Sequence, residues 1–161
     1  MKEKKMKIIS GGQTGADEGG LEAGLLLNLE TGGHCPWNCR TENGQNTDLL
    51  YKYHLVEDTN WEYPPRTEKN IQNSDGTLIV GKLVERGTAL TRKLCDKFSK
   101  PCWVVPFPNR DIMKEEFFSV WLEQHKIQIL NVAGNRESKN PGIQEFVRNW
   151  LAEQLKSYLG L

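Results

Sequence analysis

The strongest chemical signal in the sequence is a glycine-rich loop that joins a short apolar run to an amphipathic segment. The loop contains Gly11, Gly12, Gln13, Thr14 and Gly15, and Asp17 lies in the first turn that follows. Glycine allows the backbone to turn sharply and to approach a ligand closely. Free N–H groups at a helix start, at the positive end of the helix dipole, favour an anion. We therefore predict a phosphate or other oxyanion site here; the alternative is a tight turn that binds nothing.

A second loop, over residues 81–88, carries two cations ahead of a helix start. Lys82 and Arg86 could supply positive charge, while Gly87 and Thr88 could offer N–H groups at the helix N-terminus. The loop follows an apolar strand, so it would lie beside the first glycine loop. The alternative is an exposed loop with two solvated cations, and the pairing with the glycine loop favours a ligand site.

A third loop, over residues 131–142, leaves the last predicted strand and enters the last predicted helix. Gly134 lies at its start, and Arg136, Ser138 and Lys139 are suitable partners for a phosphate or a carboxylate. The alternative is a polar turn in which Pro141 precedes a helix start. We predict ligand contact, because loops on a rigid scaffold often carry function.

A looser set of polar residues surrounds the predicted helix over residues 64–73. Arg66 and Asn70 are four residues apart and share one face of that helix. Asp75 lies just ahead of the next strand. Arg66 could reach the cleft and hold an anion, or it could be a surface charge paired with Glu62 or Asp75.

Three potential metal ligands, His34, Cys35 and Cys39, lie close together in the sequence. A closed structural zinc site needs four ligands, and Cys95 and Cys102 fall in helix and strand segments much further along the chain. We expect no metal here. Four cysteines are too few for a disulfide scaffold, so we expect free thiols, which a reducing compartment would maintain.

The elements that must position these loops alternate between short apolar strands and amphipathic helices. Strands are predicted over residues 7–10, 76–80, 101–105 and 127–132, and helices over 16–29, 48–53, 64–73, 87–99, 112–125 and 143–159. This order predicts an α/β fold, a three-layer, doubly wound domain over residues 1–161 with a mainly parallel sheet of about five strands. The expected sheet core comprises Ile8, Ile9, Leu78, Ile79, Val104, Val105 and Leu130. Ligands of such sheets bind at the carboxyl ends of the strands, where the three loops begin.

Composition excludes several classes of protein. The 161 residues include 21 Lys and Arg and 21 Asp and Glu, whereas nucleic-acid-binding proteins normally carry a basic excess. No apolar run approaches the roughly 18 residues of a membrane span. The charged amino terminus leads into no apolar signal region. We expect a cytoplasmic protein that binds neither nucleic acid nor membrane.

Several motifs occur in fixed order along nearly the whole chain. They are residues 10–17, residues 31–33 with Cys35 and Pro36, Arg66 and Thr67 with Asn70, residues 74–79, Gly87 with Thr88, and residues 131–134 with Arg136, Glu137 and Ser138. Together these motifs resemble the putative molybdenum carrier family. That family is similar to a Rossmann-like superfamily that includes lysine decarboxylase-like (cytokinin-activating) phosphoribohydrolases and the DNA-processing protein of transformation.

The resemblance implies a protein that binds a phosphorylated, nucleotide-like or pterin ligand, such as the molybdenum cofactor (molybdopterin), and that forms a homodimer or tetramer. The alternative is a nucleotide phosphoribohydrolase that cleaves an N-glycosidic bond. The hydrolases carry a catalytic glutamate where this chain has Thr91, which favours a binding protein. If the chain is an enzyme, Asp17, Glu85 or Glu137 would have to supply the carboxylate. The family usually has a proline where Asn135 stands.

Overall fold

The computed structural model describes residues 3–161. Its strands are β1 (Lys7–Ile9), β2 (Glu30–Gly32), β3 (His34–Cys35), β4 (Arg40–Thr41), β5 (Gly44–Gln45), β6 (Val56–Glu57), β7 (Gly76–Val80), β8 (Cys102–Val105) and β9 (Ile129–Gly134). Its α-helices are α1 (Ala16–Leu26), α2 (Asp48–Lys52), α3 (Tyr63–Gln72), α4 (Arg86–Lys97), α5 (Ile112–Glu115), α6 (Phe118–Gln124) and α7 (Ile143–Leu159). Short 3-10 helices occupy Trp37–Cys39 and Glu137–Lys139.

Five strands form one parallel sheet in the order β2-β1-β9-β7-β8. The last strand, β9, lies in the middle, where Ile9 pairs with Asn131 and Val80 pairs with Gly134. The chain passes outward from β1 to β2 on one side and from β7 to β8 on the other. The winding direction therefore changes around β9, and such a change opens a crevice outside the carboxyl ends of the strands.

Helices cover both faces of the sheet. On one face, α1 lies against β1 and β9 and packs against α7, where Leu151 and Trp150 join Val132 in the main apolar core. On the other face, α4 lies against β7 and β9 and contacts α3, burying Ile71 with Leu94. The three-layer, Rossmann-like α/β fold is confirmed. No helix within residues 3–161 has both the length and the apolar character needed to cross a membrane.

Three details differ from the elements that the sequence predicts. Helix α1 ends at Leu26 rather than at residue 29, because Asn28 adopts a left-handed φ of 56° and residues 30–32 form the edge strand β2. The helix expected over residues 112–125 is divided into α5 and α6. Val104 is half-buried, because β8 is an edge strand, whereas the other six predicted core residues are buried.

A small unit between β2 and α3 lies next to the glycine loop. It contains the parallel pair β3–β6, the hairpin β4–β5 and helix α2, and its core joins Leu49, Tyr53 and Leu55 to Leu21 of α1. Within that core, Cys35 and Cys39 form a disulfide, so the expectation of free thiols at these positions is wrong. The tight turn between them brings the two Cα atoms to 5.0 Å, within the range that a disulfide requires.

Candidate functional site

A cleft of about 980 Å³ opens at the carboxyl edge of the sheet. Its floor is the end of β9, and its walls are the glycine loop after β1 and the amino-terminal turns of α3 and α4. Nine of the predicted site residues line it: Gly11, Gln13, Asp17, Arg66, Asn70, Gly87, Thr88, Gly134 and Arg136. The other six do not line it: Gly12, Thr14, Gly15, Asp75, Lys82 and Ser138.

Three backbone N–H groups of the glycine loop, just before α1, are already paired within the protein. The N–H of Gln13 donates to the Asp17 carboxylate at 3.2 Å, and the N–H of Thr14 donates to the Gln13 side chain at 3.0 Å. The N–H of Gly15 donates to the Gln144 side-chain oxygen of α7, also at 3.0 Å. These amides are therefore not available to an anion, although the sequence predicts that they are.

Two glycines of the first loop have different roles. Gly12 has a φ of +76°, and a Cβ there would lie 2.9 Å from the Leu55 side chain, so this glycine serves the turn and its packing. A Cβ on Gly11 would lie 1.7 Å from the Arg66 guanidinium. Gly11 therefore leaves the space into which Arg66 reaches at the cleft.

The start of α4 is open, unlike the start of α1. The N–H groups of Arg86, Gly87 and Thr88 donate to no acceptor within residues 3–161, and no side chain caps this helix. A Cβ added to Gly87 would meet no atom within 4 Å. The Thr88 hydroxyl is held in place by the side-chain amide of Asn135, which donates to it at 2.8 Å. This helix start therefore presents free donors to the cleft, where an anion is favoured.

Three arginines surround the ring of Tyr63 at the cleft. Their guanidinium carbons lie 4.2 Å (Arg40), 5.4 Å (Arg66) and 5.6 Å (Arg136) from the ring centroid. With Arg86, Lys93 and Lys139, these arginines give six basic side chains along the cleft, against the three carboxylates of Asp17, Glu62 and Glu85. Sequence reasoning missed Arg40 and Tyr63, because Arg40 lies in an irregular segment and no local pattern joins it to α3.

A buried ion pair and two buried donors without partners among residues 3–161 lie beside the cleft. The Asp17 carboxylate forms a buried ion pair with Arg66 at 3.2 Å. Burial raises the pKa of Asp17, and the positive charge of Arg66 opposes that rise. Neither the Nε of Arg66 nor the Nε2 of Gln13, a residue only 6% exposed, has a hydrogen-bond partner within residues 3–161. Unpaired buried donors are costly, so these two nitrogens lower the stability of the fold beside the cleft.

Asn70 and Asp75 have structural roles. The Asn70 side chain accepts from the His34 N–H at 2.8 Å and donates to the His34 carbonyl at 2.9 Å, which joins α3 to β3. Asp75 directly precedes β7 and so lies at the amino ends of the strands, whereas the cleft lies at their carboxyl ends. There its carboxylate accepts the N–H groups of Gln128 and Ile129, at 2.9 and 2.8 Å.

Thr14 and Ser138 both donate hydrogen bonds to the carboxylate of Glu42. The Thr14 hydroxyl donates to Glu42 at 2.6 Å, and the Ser138 N–H donates to the same oxygen at 3.1 Å. The exposed Lys82 contributes its backbone, whose N–H donates to the Asn135 side chain at 2.7 Å. All three therefore bond to other parts of the protein instead of lining the cleft.

The position of the hydrolases' catalytic glutamate carries no acid. The Thr91 hydroxyl lines the cleft and donates to the Gly87 carbonyl at 3.0 Å. Glu137 accepts the N–H groups of Gly142 and Gln144 at the start of α7, and it does not line the cleft. Within residues 3–161, no group of three or more His, Cys, Asp or Glu side chains is arranged to hold a metal ion.

Comparison with known proteins agrees with the sequence motifs. The family model described as the circularly permutated YpsA SLOG family matches residues 8–155. The crystal structure of a protein called putative molybdenum carrier protein, from Syntrophus aciditrophicus SB, is similar with a TM-score of 0.85 and 35% identity, over 94% of this chain and 95% of that one. No curated protein matches the sequence. Since the family match spans nearly the whole length, this chain belongs to the circularly permutated YpsA SLOG family.

Proposed function

We propose that this protein binds a phosphorylated, nucleotide-like or pterin ligand in the cleft, as a carrier or sensor of the molybdenum cofactor. The observation that carries the proposal is the uncapped start of α4, which faces a cleft lined by six basic side chains. A helix start and guanidinium groups both recognise phosphate oxygens.

The residues of the cleft fit the phosphate end of a pterin cofactor. The N–H groups of Gly87 and Thr88 would hold the phosphate, and the excess of basic over acidic side chains along the cleft would neutralise its charge. The name of the similar Syntrophus protein supports the molybdenum cofactor as this ligand.

Gly87→Ala tests the site with little risk to folding. The added methyl group meets no atom of residues 3–161 within 4 Å, and alanine favours a helix over glycine by about 0.5–1 kcal/mol. Stability should therefore be unchanged or higher, while the methyl group blocks an anion at the helix start. We expect affinity for inorganic phosphate or AMP, measured by titration calorimetry, to fall by at least about tenfold, which corresponds to ~1.4 kcal/mol.

One result with Gly87→Ala would contradict the proposed binding site. If Gly87→Ala melts like the wild type and binds both probes as tightly, the ligand does not use the start of α4. Mass spectrometry of small molecules released from the purified wild-type protein would then identify the ligand independently of the probes.

The hydrolase alternative rests on Asp17 and Glu85, the two suggested carboxylates that line the cleft. Asp17 is already paired with Arg66 and with the Gln13 N–H, which leaves Glu85 as the better acid–base candidate. Incubation with AMP separates the two functions. Release of adenine that Glu85→Gln abolishes would support the hydrolase, whereas saturable binding without base release supports the carrier.

A further inference from the structure

The carboxylate of Glu42 accepts hydrogen bonds from a set of donors that would also suit an anionic ligand. Its Oε1 accepts from the Thr14 hydroxyl at 2.6 Å and from the Ser138 N–H at 3.1 Å. Its Oε2 accepts from the Ser138 hydroxyl and lies 3.9 Å from the Nε of Arg136. Burial opposes the charge, but hydrogen bonds from Ser138 and Thr14 outweigh it and hold the pKa of Glu42 below its usual value. Two hydroxyls, one amide and one guanidinium are donors that also recognise phosphate.

Glu42 stands at the tip of the β4–β5 hairpin, which has little else to hold its tip in place. The hairpin has only two paired positions per strand, and residues 43–45 are exposed. Besides its carboxylate contacts, Glu42 donates its N–H to the Gln13 side chain at 2.9 Å. The hairpin tip can therefore move away at the cost of a few polar contacts, without uncovering an apolar core.

Arg136 connects this donor set to the cleft. Its side chain lines the cleft and also faces Glu42, and Gln13, which bonds the Glu42 N–H, lines the cleft as well. A negatively charged group that enters the cleft beside Arg136 therefore competes directly with the Glu42 carboxylate.

We propose that Thr14, Arg136 and Ser138 form a second anion subsite that Glu42 fills as a tethered competitor, and that a phosphate or carboxylate group of the ligand displaces it. This inference rests on the proposed function, because the ligand that displaces Glu42 is the one that the cleft binds. Arg40, which stacks on Tyr63, lies on the same hairpin, so the displacement also rearranges the arginines around that ring.

Glu42→Gln tests the competition, because glutamine keeps the size of the side chain and removes its charge. A competitor reduces the apparent affinity, which scales with the fraction of time that the competitor leaves the site empty. We therefore expect inorganic phosphate, and ADP with its second phosphate group, to bind about tenfold more tightly to the variant. Glu57→Gln is the matched control. Glu57 is exposed and accepts only the Asn38 N–H outside this site, so its affinity should match that of the wild type.

Hydrogen exchange on the wild-type protein gives a second readout that requires no variant. If phosphate displaces Glu42, exchange of the Glu42 and Asn43 amides should become faster when phosphate is added. Slower exchange, or equal or weaker binding by Glu42→Gln, overturns the inference while leaving the cleft as the binding site. If neither the wild type nor the variant binds phosphate or AMP, the proposed function fails, and this inference fails with it.

Discussion

Asn135 is the residue on which the geometry of the cleft depends most. Its side-chain oxygen accepts the Lys82 N–H at 2.7 Å, and its amide donates to the Lys82 carbonyl at 3.0 Å and to the Thr88 hydroxyl at 2.8 Å. Asn140 adds a further hydrogen bond at 3.1 Å. The side chain thereby ties the loop after β7 to the loop after β9 and sets the start of α4. A proline at this position could make none of these side-chain bonds.

Asn135→Ala should therefore destabilise the protein, because the variant leaves the part-buried backbone of Lys82 and the buried Thr88 hydroxyl without their partners. We expect the free energy of unfolding to fall by about 2–3 kcal/mol in urea titrations. Ligand affinity should fall as well, since the start of α4 loses its support. Asn43→Ala, on the exposed hairpin tip, is the control and should change stability by less than about 0.5 kcal/mol. Equal stability of the two variants would show that the Asn135 bonds contribute little.

The strands divide binding and structural roles between their two ends. At the carboxyl ends of β1, β7 and β9 lies the cleft, and at the amino ends of β7 and β9 lies Asp75. Asp75 accepts two backbone N–H groups as the chain enters β9. One carboxylate thus pairs donors that would otherwise be left open where the central strand begins.

Asp75→Ala should lower the free energy of unfolding by about 1–3 kcal/mol, because two N–H groups lose their acceptor. Asp75→Asn keeps one oxygen acceptor, so its loss should be smaller. Ligand affinity of the folded variants, measured with AMP, should equal that of the wild type. A loss of affinity with unchanged stability would instead place Asp75 at the ligand, as its sequence motif suggests.

The whole molecule combines zero formal charge with an uneven distribution of charge. The 21 basic and 21 acidic residues cancel over the chain, yet basic side chains predominate at the cleft. Such a local field attracts a small anion without creating the broad basic surface that nucleic acids require. A different part of the surface is apolar: Ile112, Met113, Phe117 and Val120 are exposed by 64%, 73%, 58% and 47%.

We predict that the protein self-associates as a homodimer or tetramer, and that the apolar side chains between residues 112 and 120 contribute to the contact. Light scattering at micromolar concentration should give at least twice the 18.4 kDa mass of one chain. Phe117→Lys should shift the mass toward that of the monomer, whereas Leu26→Lys, at an exposed position on α1, should not. A monomeric mass for the wild type would contradict the prediction.

Local patterns in the sequence determined the helices and strands that form the fold. Residues 76–80 are apolar throughout and form a central buried strand, and the spacing of Leu90, Leu94 and Phe98 matches the buried side of α4. The sequence could place the three candidate loops together, because each follows a strand of a parallel sheet and all carboxyl ends of such strands lie on the same side. These inferences succeed because each depends on neighbouring residues and on general rules of winding. Residues 30–32 are Glu, Thr and Gly and carry no apolar pattern, so the sequence does not predict the edge strand β2.

Only the tertiary structure decided which donors are free and which are occupied. The N–H of Gly15 is paired with Gln144, which lies 129 residues away in the sequence. The N–H groups at the start of α4 have no such partner among residues 3–161. Both loops look suited to an anion in the sequence. Likewise, Arg40 meets Tyr63 and Glu42 meets Thr14 and Ser138 only when the chain folds. Hydrogen bonds and ion pairs of this kind depend on distances between segments remote in sequence, and no local spacing encodes those distances.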